Sequence, residues 1–526
     1  MDKITALSPD FSVTAQFLPE DMRAIAAAGF RSIICNRPDG EEAGQPDAFA
    51  IREAASAAGL VVAHLPVTNR NISPADAHAM HSALARLPAP ILAYCRTGAR
   101  SSAMYEAAMA LEGRTSPTYD VVIVGGGSAG IACAASLLKR RPDLSIAIVE
   151  PTDTHYYQPG WTLVGAGVFT PEVTRRPMAD VMPRQAHWVR EAVAGFAPDR
   201  DQVLLADGAA LGYRMLVVAA GLKLDWQAIP GLTESLGQNG VTSNYRYDLA
   251  PYTRDLVRTL ARGRALFSQP PMPIKCAGAP QKAMYLSCHA WERARHLGDL
   301  EVEFHNAGAV LFGVPDYVPA LQAYIERYGI DLQLGSKLVE VDGTARIARF
   351  EQGGDSEKSI VERPFDMLHA VPPQVAPDFV RTSPLADASG FIAADPATLR
   401  HPAWSNVFAL GDVVATTNAK TAAAARKQAP VVAVNVLAAL DGKPPQAAYD
   451  GYGSCPLTVE RGRIVLAEFG YGGKLLPSFP HWLLDGRKPT RLAWFLKDRM
   501  LPPIYWHGML KGREWLAHPQ SIGQAR

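Results

Sequence analysis

Short apolar runs alternate with longer stretches of helical periodicity along most of this chain. In residues 1–112 the alternation repeats. It predicts strands over 11–17, 32–36, 60–67 and 91–94, and helices over 19–29, 48–59, 74–87 and 101–112. Such β/α repetition implies a small α/β domain with a central sheet. A polar linker is expected at 113–118. A buried-type strand at 120–124 then opens a second α/β region reaching about residue 445, with further strands over 145–149, 213–218, 264–268 and 406–410 and helices over 131–141 and 421–437. From 446 to 526 the pattern changes, and four of the nine tryptophans fall within 481–526.

Composition narrows the reading only a little. A chain of 526 residues with 48% hydrophobic and 20% charged residues can bury several cores. The net charge of +1 selects no nucleic acid. Six cysteines, Cys35, Cys95, Cys133, Cys276, Cys288 and Cys455, are too sparse for a disulfide framework. The first residues lack the basic-then-apolar pattern of a signal peptide, and no run of 18 apolar residues is present. The expectation is a cytoplasmic protein, in contact with a membrane at most peripherally.

Chemistry enters at the strand 120–124. It leads into Gly125, Gly126, Gly127, Ser128, Ala129 and Gly130, and a helix follows. Glycines at 125, 127 and 130 permit a tight turn and close approach of backbone to a pyrophosphate at the helix N-terminus. Twenty residues after Gly130 the next strand ends in Glu150, placed for a ribose hydroxyl pair. Two more strands end in small-residue turns, one at Ala220 and Gly221 and one at Gly411 and Asp412. These resemble the second and third FAD contacts of the two-dinucleotide-binding-domain flavoproteins. The resemblance implies two Rossmann-like domains of the FAD/NAD(P)-disulfide-reductase type, with FAD as cofactor and Asp412 on its ribityl chain. The strand 264–268 runs into Gln269, Pro270 and Pro271 with no second glycine fingerprint, which disfavours a nicotinamide donor.

Three segments are specific. His155 to Gly167, Ile274 to Lys282 and Tyr452 to Leu457 resemble those of mitochondrial-type sulfide:quinone oxidoreductases, and the likeness covers residues 118 to about 516. It implies that Cys276 and Cys455 are the redox pair, Cys276 facing the flavin and Cys455 carrying outgoing sulfur. A disulfide is an electrophile that hydrosulfide can attack, leaving one persulfide and one thiolate. Sulfide, a quinone and a thiol or sulfite acceptor are the implied partners. Lys275 is adjacent to Cys276 and could favour its thiolate. Lys420 and Thr421, at the start of the helix after Asp412, are expected near the flavin ring, though a solvated Lys420 is nearly as good a reading. Cys133 and Cys288 read as packing.

The segment 481–526 carries eight Lys or Arg against three acids, interleaved with aromatics. Such a pattern suits an amphipathic interfacial helix on anionic lipid, or else a helix packed on the flavin domain. A quinone lives in the bilayer, so the first reading gives a peripheral (monotopic) attachment to the inner membrane. A homo-oligomer remains open.

In the N-terminal domain, the strand 91–94 ends in Cys95, Arg96, Thr97, Gly98, Ala99, Arg100. A cysteine on a loop that caps a helix N-terminus has a lowered pKa, and the loop amides with Arg100 can cradle an anion. Four residues separate Cys95 from Arg100, the rhodanese spacing rather than the five of cysteine phosphatases. The domain resembles the phosphatase-fold, rhodanese-like sulfurtransferases, which implies that Cys95 accepts sulfur from a Cys455 persulfide, directly or through a small thiol. His78 and His81 lack the company for a metal site, and no metal is expected. Two other functions stay open: an NAD(P)H-dependent persulfide or disulfide reductase, and a flavin-bearing sulfur carrier or sensor.

Overall fold

The computed structural model describes residues 4–111, 116–353 and 358–522. Residues 113–115 of the expected linker lie outside them. Two compact units emerge, one of residues up to 118 with 191–213, the other of 119–190 with 214 onward.

The first unit holds a five-stranded sheet in the order Thr5–Ser8, Phe11–Thr14, Ile91–Tyr94, Ser32–Cys35, Val61–His64. The first pair is antiparallel and the rest parallel. Phe11–Thr14, Ser32–Cys35 and Ile91–Tyr94 are buried throughout, because helices supply apolar cover. Ile25, Ile51 and Met22 pack with Ile33, Leu92 and Tyr94; Met80 and Met104 pack with Ile34 and Ala93. The three long helices are Ala48–Ala57, Pro74–Arg86 and Ala99–Met109. Ser73 and Asp76 close a capping box at the start of the second. The edge strand Thr5–Ser8 escapes the hydrophobic pattern because its residues are largely exposed. Residues 191–213 add the antiparallel strands Val193–Ala197 and Gln202–Leu205, and Gln202–Leu204 pair with Gly212–Ala210.

In the second unit, parallel strands run in the order Ala186–Val189, Ile146–Val149, Thr118–Val124, with Leu216–Val218 pairing in parallel to Val407–Ala409. Helices Ser128–Arg140 and Ala422–Leu440 pack on them through Ile131, Leu137, Val432 and Val436. A second parallel sheet runs Val241–Thr242, Met367–His369, Gly263–Gln269, Leu300–Asn306, Asp331–Leu334. A hairpin, Gly453–Glu460 with Arg463–Phe469, packs on helix Ala279–Ala294.

The C-terminal segment is helical as expected, but its helix is irregular. Arg491–Phe495 is α-helical, Leu496–Met500 and Ile504–Gly508 widen to π geometry, and Met509–Lys511 tightens to 3-10. Leu501–Pro503 contains two prolines, which donate no backbone N–H. Tyr505, Trp506, Met509 and Leu510 are buried in the core beneath helix Ser128–Arg140, whereas Trp482, Leu492, Phe495 and Met500 are exposed. The segment is therefore part packed into the core and part exposed. Among the described residues, no helix is long and apolar enough to cross a membrane.

Candidate functional site

Strand Thr118–Val124 delivers the glycine loop, and its geometry fits a dinucleotide. Gly125 has φ +107, and a Cβ there would lie 2.5 Å from the Ala219 carbonyl oxygen and 3.1 Å from Cα of Ala220. A Cβ on Gly130 would lie 1.9 Å from the Gly125 carbonyl oxygen. A Cβ on Gly127 would meet nothing within 4 Å, so this position faces open space. Two glycines are thus needed for packing, and the third leaves backbone bare at the start of helix Ser128–Arg140, where an anion is favoured. Glu150 accepts from the Gly126 amide at 2.9 Å and from the Thr152 amide and hydroxyl. Gly411, at φ +78, comes close to Ala129, bringing the Gly411–Asp412 turn to the same loop. Gly221, at φ +70, leaves its Cβ position open.

Asp412 is half-buried; desolvation pushes its carboxyl up, while Lys420 and Lys275 pull it back. Lys420 is not a surface lysine. Its Nζ donates to the carbonyls of Asp412 (2.8 Å) and Val414 (2.7 Å), over the Phe391 ring, and burial lowers it to about 8. Thr421 caps helix Ala422–Leu440 by accepting from the Ala424 amide. Backbone pairing of Lys420 with Lys275 sets the Cys276 loop beside this turn.

The cysteines then meet. Cys276 comes from the loop after strand Gly263–Gln269, and Cys455 from the hairpin strand Gly453–Glu460. Their sulfurs lie 3.4 Å apart and both are free. Cys276 holds φ +83, a left-handed conformation that costs a non-glycine residue about 1–3 kcal/mol and is typical of functional positions. A Cβ on Gly278 would lie 2.7 Å from the Cys455 sulfur, so only glycine lets the hairpin approach. Lys282, two residues past Pro280 in helix Ala279–Ala294, places Nζ 3.2 Å from Cys276 Sγ and 4.0 Å from Cys455 Sγ. The hydrogen bond from Cys455 and the Lys282 charge hold Cys276 well below the ordinary thiol value against burial, and Cys455 is pushed up by the same pairing. The arrangement favours a thiolate on Cys276 and a thiol on Cys455.

Lys282 and the adjacent Lys275 both act on Cys276, Lys275 only through its charge. Lys275 points to Gln158 Oε1 at 2.7 Å and lies near the Trp161 and Tyr245 rings. Lys282 touches the sulfur, and nothing in the local sequence pattern signals it. Lys497 was missed altogether. It is buried, donates to the Pro159 carbonyl at 2.9 Å, and feels Lys282, Cys276 and Cys455; burial and then Lys282 bring it to about 7. Tyr505 was missed too. Its hydroxyl lies 2.6 Å from Ser128 Oγ and 2.6 Å from His155 Nε2, while His155 Nδ1 lies 3.2 Å from the Gly126 carbonyl. Burial lowers His155 to about 4, so it is neutral, and Nδ1–H donates to Gly126 while Nε2 accepts from Tyr505. The C-terminal segment thereby buttresses the glycine loop. Cys133 and Cys288 are fully buried and their thiols are pushed up, as befits packing residues.

In the first unit, Cys95 ends the central strand Ile91–Tyr94, and Gly98, at φ +86, turns the chain into helix Ala99–Met109. Burial raises the Cys95 thiol, but the amides of Ser101, Thr97 and Arg100 and the Arg100 guanidinium outweigh it, leaving it below the ordinary value. Arg100 is buried and already paired: Nη1 and Nη2 reach Glu41 Oε1 and Oε2 at 2.7 and 2.8 Å. Among the described residues no group of three or more His, Cys, Asp or Glu could hold a metal ion.

Residues 119–429 match the family described as pyridine nucleotide-disulphide oxidoreductase, and residues 3–112 match the phosphatase-like domain of beta-lactamase hydrolase-like proteins. The mitochondrial sulfide:quinone oxidoreductase of Dictyostelium discoideum is 41% identical over 401 residues, covering 75% of this chain and 86% of that protein. The beta-lactamase hydrolase-like protein of Agrobacterium fabrum is 32% identical over 148 residues, covering 28% of this chain and 34% of that protein. The structure of the Aquifex aeolicus sulfide:quinone oxidoreductase superposes with TM-score 0.65 at 18% identity, covering 78% of this chain and 98% of that one; at that identity the likeness is one of fold.

Proposed function

The chain belongs to the sulfide:quinone oxidoreductase family, and we propose that it oxidises sulfide at Cys276 and Cys455 and delivers the electron pair to a quinone. The observation that carries this reading is the 3.4 Å cysteine pair with Lys282 on its Cys276 side. Hydrosulfide attacks the Cys455 sulfur of the oxidised pair; the S–S bond breaks, Cys455 keeps a persulfide, and Cys276 leaves as a thiolate opposite Lys282. A small thiol then removes the outer sulfur. Overall, hydrogen sulfide, a thiol and a quinone give a persulfide and a quinol. Lys282 and Lys497 surround the pair with positive charge, which draws the hydrosulfide anion and holds the thiolate.

The cofactor is FAD, held by Gly125, Gly127, Ser128, Ala129, Gly130, Glu150, Ala220, Gly221, Gly411, Asp412, Lys420 and Thr421; the bare Gly127 backbone supports a pyrophosphate there. Bound there, FAD supplies a two-electron acceptor between cysteines and quinone. Cys95 is the next sulfur acceptor, with its thiolate held by the loop amides and Arg100.

Quinone reduction by sulfide tests the pair. Wild type should turn over with sulfide and not with NADH, while Cys276→Ser and Cys455→Ser should each lose on the order of a thousandfold. Turnover in either variant within tenfold of wild type would sink the assignment. Exposed Trp482, Leu483, Leu492, Phe495 and Met500, close in sequence to Arg487, Lys488 and Arg491, support a membrane-facing patch. Co-sedimentation with anionic vesicles should be strong for wild type and about tenfold weaker for a Trp482→Ser, Phe495→Ser double variant.

A further inference from the structure

The Cys95 loop has the plan of an anion site, yet a carboxylate already occupies its arginine. Glu41 lies in the loop after strand Ser32–Cys35 and takes both Arg100 amino groups in a bidentate pair. The same Arg100 Nη1 donates to the Val67 carbonyl at 2.7 Å. Glu41 Oε2 also accepts from Arg37 Nε at 2.8 Å, and Arg37 in turn reaches Glu42 at 2.7 Å and Gln16 at 3.1 Å. Arg37 is almost wholly buried. Arg100 and then Arg37 hold the Glu41 carboxyl down at about 2, so it is ionised at every working pH. Ser101 is fully buried, its amide supports the Cys95 thiolate, and its hydroxyl has no hydrogen-bond partner.

The charges decide what that ligand is. Arg100 faces the Cys95 thiolate and Glu41 already matches its charge, while Arg37 and Glu42 form a further pair on the other side of Glu41. A phosphate ester would bring up to two more negative charges and would need the guanidinium fork that Glu41 fills. Sulfur transfer needs neither. The Cys95 thiolate attacks the outer sulfur of a persulfide, a new S–S bond forms as the old one breaks, and the departing thiolate takes the persulfide proton. The site begins with one thiolate and ends with one persulfide anion, so its charge does not change.

We propose that Glu41 is the specificity-determining residue of the Cys95 site, excluding phosphate-like dianions and reserving the loop for sulfane sulfur. This rests on the reading of Cys95 as a sulfur acceptor.

Alkylation of Cys95 by iodoacetamide, followed by peptide mass spectrometry in the full-length protein, tests it with inorganic phosphate as the probe. In wild type, phosphate should leave the Cys95 rate unchanged. In Glu41→Gln, whose amide no longer neutralises Arg100, phosphate should slow labelling by at least about tenfold. Glu41→Asp, which keeps the carboxylate, should behave as wild type. Phosphate protection in wild type overturns the proposal even if Glu41→Gln fails to fold, as does a folded Glu41→Gln that phosphate leaves unprotected. A separate arm follows the added sulfur mass on Cys95 after sulfide turnover. Its absence sinks the acceptor reading, while the phosphate arms judge Glu41 on their own.

Discussion

Both cysteine sites stabilise a thiolate, but with opposite means. At the Cys276–Cys455 pair the cations are buried lysines, Lys282 and Lys497, and among the described residues no carboxylate forms a salt bridge with either. At Cys95 the donors are backbone amides and an arginine whose charge is already matched by Glu41. A lysine is a point charge that can gain and lose its proton when buried; an amide-lined loop with a matched arginine cannot. The contrast separates two tasks. The pair must attract an anion from dilute solution and change its own charge during turnover. As the proposed sulfur acceptor, Cys95 needs only to exchange one sulfur anion for another.

The largest effect on this comparison should come from Lys282. Replacing it by methionine keeps the bulk of the chain and removes the cation in contact with Cys276. A lost charge-assisted hydrogen bond of about 2 kcal/mol lowers turnover about 30-fold. Iodoacetamide labelling of reduced Cys276 should slow at pH 7, while Cys95 labelling stays unchanged. If Cys276 keeps its reactivity in Lys282→Met, the pair does not depend on a lysine and the contrast with Cys95 breaks.

That residue also marks where the sequence was readable. Strand-to-glycine-to-helix order placed the glycine loop, because the pattern is local: Gly125, Gly127, Gly130 and Glu150 lie within one β/α/β unit. The strand Ile91–Tyr94 was legible for the same reason, being apolar and flanked by turn residues. Cys276 and Cys455 lie on separate elements, and only resemblance joined them; their contact is a tertiary fact. Lys282 hid in a helix whose buried face includes it, where periodicity reads any lysine as solvated. Lys497, Tyr505 and Trp506 were legible as composition and undecided as to place, since basic and aromatic residues suit a lipid surface and a buried site alike. Glu41 gave no signal, for nothing in its neighbourhood shows that it will meet Arg100.

Lys497 gives a smaller effect with a distinctive pH dependence. Its value of about 7, set by burial and then by Lys282, means that it is charged below pH 7 and neutral above. Its help to the Cys276 thiolate is therefore present at low pH and lost as pH rises through 7. Lys497→Met should turn over about fivefold more slowly than wild type at pH 6, an electrostatic difference of about 1 kcal/mol, and equally fast at pH 8.5. Lys497→Arg keeps its charge across this range and should exceed wild type at pH 8.5. A ratio of wild type to Lys497→Met that stays flat with pH would show the lysine to be packing alone.

The smallest effect lies at Tyr505, and it tests whether the C-terminal segment serves the dinucleotide loop or only covers it. The hydroxyl joins Ser128 to His155, and His155 holds the Gly126 carbonyl. Tyr505→Phe keeps the ring among Tyr157 and Trp506 and removes only the bridge. The Ser128 hydroxyl can turn to a new acceptor, so the cost is that of a neutral hydrogen bond, about 1 kcal/mol. Because the loop rather than the core is loosened, that cost should appear as about fivefold weaker retention of FAD in dialysis or titration of the apoprotein. The unfolding midpoint of the apoprotein should fall by no more than a few degrees, roughly what about 1 kcal/mol moves in a chain of this size. Equal FAD retention with a lowered midpoint would mean that the segment braces the core and leaves the loop to itself.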